Sequence, residues 1–166
     1  MKKYIIVGLI TLSFFLASCS KTPEDELSNI MKQSLETRWS YDVKDENNWK
    51  LIQKSLRAEL NFLKEHTGLL STDDSKKIKH AELRSAFENY YAALVALERS
   101  AEYQTNEYLT PEQYKKSVEK YYSTMSKSIA IIHKHSPIKV EEKYESNLDH
   151  MLTINDNSKE EKAIPK

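Results

Sequence analysis

From Pro23 to Leu152 the chain alternates apolar and polar residues with the period of an α-helix. Leu27, Ile30, Met31, Leu35 and Trp39 repeat at intervals of three and four, so they line one face of a helix. Thr22-Pro23-Glu24-Asp25 supplies its start, with a hydroxyl cap, proline at the first position and acids in the first turn. The polar stretch Ser40 to Asn48 ends it. A second helix is predicted from Asp45 or Glu46, with Trp49, Ile52, Leu56, Leu60 and Leu63 on one stripe and Gly68 as a left-handed C-terminal cap. Both tryptophans are thereby aimed at one core. A third helix is predicted from residue 73 to about 105, capped by Ser71 or Thr72, with Asp73 and Asp74 at the positive end of its dipole. Its buried face reads Ile78, Leu83, Phe87, Tyr90, Leu94, Leu97 and Ala101, with Tyr91 and Val95 widening it. If continuous it is roughly 50 Å long.

Thr110-Pro111-Glu112-Gln113 combines a first-turn proline with a Thr-to-Gln capping box and opens a fourth helix. Tyr114, Val118, Tyr121, Met125, Ile129 and Ile132 form its apolar stripe. Ser136-Pro137 closes it and starts a fifth, with Val140, Tyr144, Leu148, Met151 and Leu152 as its apolar positions. From residue 155 the chain has almost nothing to bury, and a disordered tail is expected over 155–166. The fold class predicted is all-α, an elongated bundle of about five helices occupying residues 25–154. Glycine usage agrees: only Gly8 and Gly68 occur, too few for the turns and phosphate loops of β or α/β folds.

The first 18 residues follow a different rule. Lys2 and Lys3 precede an apolar run from Tyr4 to Leu16 that is interrupted only by Gly8, Thr11 and Ser13. This has the layout of a secretory signal, and it falls short of the roughly 20 residues that span a bilayer. Small residues then lead to Cys19, the only cysteine in the chain. Leu16-Ala17-Ser18-Cys19 resembles the lipobox of bacterial lipoproteins. The resemblance implies that the Cys19 thiol receives a diacylglyceryl group, that cleavage removes residues 1–18, and that residues 19–24 become a lipidated tether. Palmitate-type acyl chains would hold the protein in the membrane, since two chains at about 0.8 kcal/mol per buried methylene make a lasting anchor. An ordinary cleaved signal, or a short buried helix with a chance cysteine, is the alternative. The resemblance places the protein on the extracytoplasmic side of the cell membrane. Ser20 after the cysteine would permit outer-membrane sorting in a Gram-negative host.

Loss of Lys2 and Lys3 changes the net charge from zero to minus 2, so no basic excess points to nucleic acid. With one thiol no internal disulfide forms. The remaining 148 residues suffice for a single core without metal or disulfide staples. His133 and His135, two apart on a helix, diverge by about 200 degrees and suit solvent near a helix C-terminus better than zinc. Glu59 and Glu65, or Glu98 and Glu102, are read as a solvated face, and no Glu-x-x-His pair accompanies them as a di-iron bundle requires. No cofactor and no catalytic set is expected.

Tyrosine is the one residue type above background, with nine after residue 18. In the pairs Tyr90-Tyr91 and Tyr121-Tyr122 both rings cannot face one core line, so one of each is expected at a boundary. Tyr103, Tyr108 and Tyr114 cluster around the turn between the third and fourth helices. Exposed tyrosine suits partner binding, and Tyr91, Tyr103, Tyr108 and Tyr122 are the candidate binding residues. The competing reading is a tyrosine-rich core boundary with rings inside and hydroxyls wet. Leu35-Glu36-Thr37-Arg38-Trp39 followed by Ala58-Glu59-Leu60 resembles the opening of helical lipoproteins of Gram-positive bacteria, a group without an assigned activity. Arg38 and Trp39 are read as a core edge, with the guanidinium stacked near the indole.

The function expected is a noncatalytic, membrane-anchored helical module that binds an envelope or extracellular protein. Two alternatives stand beside it. One is a protective lipoprotein acting in phage exclusion or bacteriocin immunity. The other is a binder of a small ligand or lipid with an apolar cavity between helices, or an unrecognised hydrolase, and a cavity lined by Tyr90, Tyr121 and Met125 would favour the binder.

Overall fold

A computed structural model of the 166-residue chain describes residues 22–45, 47–66 and 78–160, with side chains as far as residue 154. It is an all-α bundle of five helices: α1 (Pro23–Trp39), α2 (Trp49–His66), α3 (Ala81–Thr105), α4 (Pro111–His135) and α5 (Glu145–Glu160), the last preceded by a 3-10 turn at Glu142–Tyr144. Helices adjacent in sequence pack on one another, whereas α1 and α4 touch only slightly.

Local chemistry sets the boundaries. At α1 the Asp25 amide donates to Thr22 Oγ1 (3.1 Å) and the Thr22 amide donates to Asp25 Oδ2 (3.4 Å), which satisfies two donors the first turn leaves open. The same exchange occurs at α4 between Thr110 and Gln113, at 3.2 and 2.9 Å. α2 begins at Trp49 instead of Asp45 or Glu46. Asp45 is occupied in a turn, accepting from the Asn47 amide at 2.9 Å, and Asn48 takes the capping role, accepting from the Leu51 amide at 3.2 Å.

α3 also starts later than its apolar pattern suggests. His80 has extended backbone angles (φ −77°, ψ 110°), and the helix of 25 residues is about 37 Å long. Ile78 lies in the extended approach yet is fully buried, so burial persists where the helical period does not. The expected caps at Ser71, Thr72 and Gly68 lie outside the described residues, as do residues 1–21 and 161–166.

α3 ends on a left-handed residue. Glu107 has φ 61°, its amide donates to Gln104 O (3.1 Å), and the Tyr108 amide donates to Tyr103 O (2.8 Å). This is the paired bonding of a Schellman cap, with glutamate where glycine is usual.

After α4 the chain runs back along α1 as an extended strap. Ser136 Oγ donates to Asp25 Oδ1 (3.0 Å), Ser28 Oγ donates to Pro137 O (3.0 Å), and the Glu141 amide donates to Glu36 Oε1 (2.7 Å). His133 Nδ1 accepts from the Ile138 amide at 3.1 Å, which fixes the turn out of α4. The core fills with Leu27, Met31, Leu35, Leu63, Leu94, Met125, Ile129 and Ile132, all fully buried.

Candidate functional site

The centre of the bundle holds charge. Arg38 at the last turn of α1 and Glu59 in the middle of α2 are both buried, and Arg38 Nη1 lies 3.2 Å from Glu59 Oε2. Glu59 Oε1 accepts from Ser34 Oγ at 2.9 Å and from the Tyr90 hydroxyl. Arg38 Nη2 donates to the Met151 thioether at 3.4 Å, and the guanidinium sits 5.8 Å from the Trp39 ring and 5.9 Å from the Tyr122 ring. Ser34 and Arg38 come from α1, Glu59 from α2, Tyr90 from α3, Tyr122 from α4 and Met151 from α5, so every helix contributes to one cluster.

Protonation follows from burial and pairing. Burial, the largest single effect, opposes the charge on Arg38, but the Glu59 carboxylate together with the Tyr90 and Tyr122 hydroxyls outweighs it and holds the guanidinium above its ordinary value. Burial raises Glu59, with Arg38, Tyr90 and Ser34 pulling it back. The Ser34 and Tyr90 hydroxyls donate to that carboxylate, and the Arg38 guanidinium faces it at ion-pair distance. Tyr90 is pushed well up, by burial first and then by Glu59.

Glu59 is therefore not part of a solvated face, and the reading of Glu98 as one fails in the same way. Glu98 is nearly buried between α2 and α3, where Arg57 Nη2 reaches its Oε1 at 2.7 Å and Nε donates to it at 2.9 Å. Each carboxylate had an arginine available on a neighbouring helix, which makes burial tolerable.

Arg38 also lines a cleft of about 800 Å³ bordered by the end of α1, the start of α2 and the first half of α4. Trp39, Trp49, Ile52, Tyr114, Val118 and Tyr122 form its walls, and Asp42, Asn47, Lys115, Glu119 and Asn147 its rim. Trp49 and Tyr114 meet edge to face, with ring centroids 4.7 Å apart at 69°. Trp39 leans on Tyr144 at 5.8 Å. Burial pushes the Tyr114 hydroxyl up to about 12. Aromatic walls with a few polar groups are the usual makeup of a binding cleft, and the volume suits a small molecule or a short chain segment.

The four candidate tyrosines do not form one patch. Tyr103 (48 % exposed) and Tyr108 (76 %) stand together at the α3–α4 turn, ring centroids 6.2 Å apart and nearly perpendicular. Tyr122 is half-buried in the cleft wall, and Tyr91 is half-buried against the core. Of the adjacent pairs, Tyr90 is buried and Tyr91 is at the boundary, whereas Tyr121 and Tyr122 are both at the boundary. Tyr90 and Met125 are fully buried core, and none of Tyr90, Tyr121 and Met125 lines the cleft. Cys19 lies outside the described residues.

The Arg38–Glu59 pair escaped sequence reasoning although a signal existed. Each charge falls within its helix's apolar stripe, Arg38 three residues after Leu35 and Glu59 between Leu56 and Leu60, and opposite charges on the inner faces of consecutive helices are candidates for pairing. His135 Nε2 lies 3.3 Å from Glu82 Oε2, and its ring is 5.3 Å from that of His80. Among the described residues no group of three His, Cys, Asp or Glu side chains is placed to hold a metal ion. Nor is any helix among them long and apolar enough to cross a membrane. Comparison with protein families, curated proteins and solved structures found nothing that matches this chain.

Proposed function

We propose that this chain is a membrane-anchored extracytoplasmic lipoprotein whose bundle is a noncatalytic protein-interaction module, with the aromatic cleft as its binding face. The observation that carries the binding half is the cleft itself: both tryptophans of the chain and two tyrosines line one concavity over a buried arginine. Aromatic side chains and arginine are the residues that most often dominate binding energy. A noncatalytic role is supported by how the titratable groups are used. Glu59 is occupied by Arg38, Ser34 and Tyr90, so its carboxylate is spent within the core.

The anchoring half rests on Leu16-Ala17-Ser18-Cys19 and on the spacing that follows, since α1 begins at Pro23, four residues after the cysteine. Its test is metabolic labelling with a palmitate analogue. Cys19→Ser should abolish labelling and release the protein from the membrane fraction, and normal retention of that variant would refute the anchor. The binding half is tested by photocrosslinking in intact cells from Lys115 at the cleft rim and from Tyr108 at the α3–α4 turn. A discrete envelope protein captured from position 115 supports the module, and capture from neither position refutes it. The size of the cleft favours one second reading, a small ligand in place of a protein.

A further inference from the structure

We propose that the bundle seats itself upright on an anionic bilayer through the end at which α1 starts, and that His66, His80 and His135 strengthen the seat when they are protonated. This rests on the lipid-anchor reading above and specifies what the anchored end does.

Bonding brings four segments to that end. Ser136, just beyond α4, donates to Asp25 in the first turn of α1 (3.0 Å), and His135 in the last turn of α4 lies 3.3 Å from Glu82 in the first turn of α3. α2 runs antiparallel to α3, since Arg57 pairs with Glu98 and Glu59 with Tyr90, so its last residue, His66, arrives there too. Four of the five histidines of the chain, His66, His80, His133 and His135, therefore gather where α1 starts. The opposite end, residues 36–49 and 102–114, has none.

Reach decides what this end meets. Only Ser20 and Lys21 separate Cys19 from Thr22, and three residue steps extend about 10 Å at most. That is about one Debye length at physiological salt, so headgroups act on this end and are screened from the other, about 25 Å further along the 17 residues of α1.

Charge decides when the headgroups hold it. In the outermost turns of α1 to α4 and the described residues flanking them, Lys64, Lys79, Arg84, Lys134 and Lys139 stand against Glu24, Asp25, Glu26, Glu65 and Glu82, five cations against five carboxylates. The sequence between α2 and α3 adds Asp73 and Asp74 against Lys76 and Lys77, which cancel, and Lys21 adds one positive charge. With neutral histidines this end is close to balance and has little hold on an anionic surface.

Histidine ordinarily gains its charge between about pH 8 and 5, and His66, His80 and His135 are exposed. His133 is left out, because its Nδ1 is occupied by the Ile138 amide. His66 lies against the Phe62 carbonyl and ring, with Lys64 and Glu65 beside it on α2. The His80 and His135 rings are 5.3 Å apart, with Glu82 on His135 and Lys79, Arg84 and Lys134 adjacent in sequence. One carboxylate offsets one imidazolium there, and the second calls for an anion from outside, which a lipid phosphate supplies. Each cation near an anionic leaflet favours the seated state about fivefold, so three favour it about a hundredfold.

The test follows energy transfer from tryptophan to dansyl-labelled lipid headgroups, with the mature lipidated chain in phosphatidylglycerol–phosphatidylethanolamine liposomes. Trp39 and Trp49 stand at the end of α1 and the start of α2, opposite the anchor, so an upright bundle keeps both away from the bilayer and a swinging one does not. Transfer should fall on acidification from about pH 7.5 to 5.5, and should stay constant in phosphatidylcholine liposomes or in about 0.5 M salt. His66→Gln, His80→Gln and His135→Gln combined should keep transfer at its neutral value in acid, with circular dichroism to check the fold. If that variant fails to fold, the phosphatidylcholine and salt comparisons decide. Equal transfer at both pH values, the same fall in phosphatidylcholine, or a fall that survives in the folded triple variant would each overturn the seat and leave the anchor in place. A chain without lipid on Cys19 would remove anchor and seat together.

Discussion

Arg38 and Glu59 meet at 3.2 Å across the α1–α2 contact, and neither has solvent to fall back on. Because both are desolvated, the pair is worth less than its geometry suggests, yet either partner alone is worse than both. Arg38→Ala or Glu59→Ala should each cost about 3–5 kcal/mol, read as a fall in the urea midpoint. Arg38→Met with Glu59→Leu should recover most of that loss. A double variant as unstable as the worse single one would show that the charges do more than tolerate each other.

Alkaline stability should report the buried phenols. Tyr114 and Tyr90 both sit above the ordinary tyrosine value of 10.0, Tyr114 at about 12. The folded state keeps these protons after the unfolded chain has lost them, so their contribution is complete below pH 10.0 and drains away as pH rises through 12. Phenolate absorbance followed together with circular dichroism checks this. Two tyrosines should ionise late and together with the loss of helix, and ionisation of every tyrosine before any unfolding would contradict it.

Glu107 holds a left-handed position at φ 61° that carries a steric penalty for any residue with a Cβ. Glu107→Gly should raise stability by about 0.5–1 kcal/mol, because the Schellman bonds stay and the penalty goes. Equilibrium denaturation is the measurement, and a loss of stability would mean that the Glu107 side chain contributes something its position does not reveal.

The two capping boxes give a matched comparison. Thr110→Ala removes the acceptor for the Gln113 amide and Thr22→Ala that for the Asp25 amide, and each should cost about 1 kcal/mol. Amide hydrogen exchange should localise the loss to the first turn of α4 or α1, whereas a uniform rise in exchange would place the effect outside the caps.

Much of this architecture was legible in residue order. Thr110-Pro111-Glu112-Gln113 announces the start of α4 because all the chemistry of a capping box is local. The start of α3 is less legible, since Ile78 buries itself equally well from extended backbone and an apolar residue does not reveal its dihedral angles. Glu59 was misread for a different reason. Polarity alone assigns a carboxylate to the surface, and its three partners, Ser34, Arg38 and Tyr90, lie on two other helices, distant in sequence. The cleft was hidden because it is assembled from the end of α1, the start of α2 and the first half of α4, a property of packing. Its walls were partly visible nonetheless: Trp39 and Trp49 were expected on one core, and they flank the same opening.

The strap that follows α4 has a mechanical side. It lies parallel to α1 and is bonded to it at Asp25, Ser28 and Glu36. If Cys19 is held in a membrane, any load on the bundle enters through Thr22 and the axis of α1. Those three bonds are then strained side by side, in shear, and must give way together instead of opening one after another like a zip.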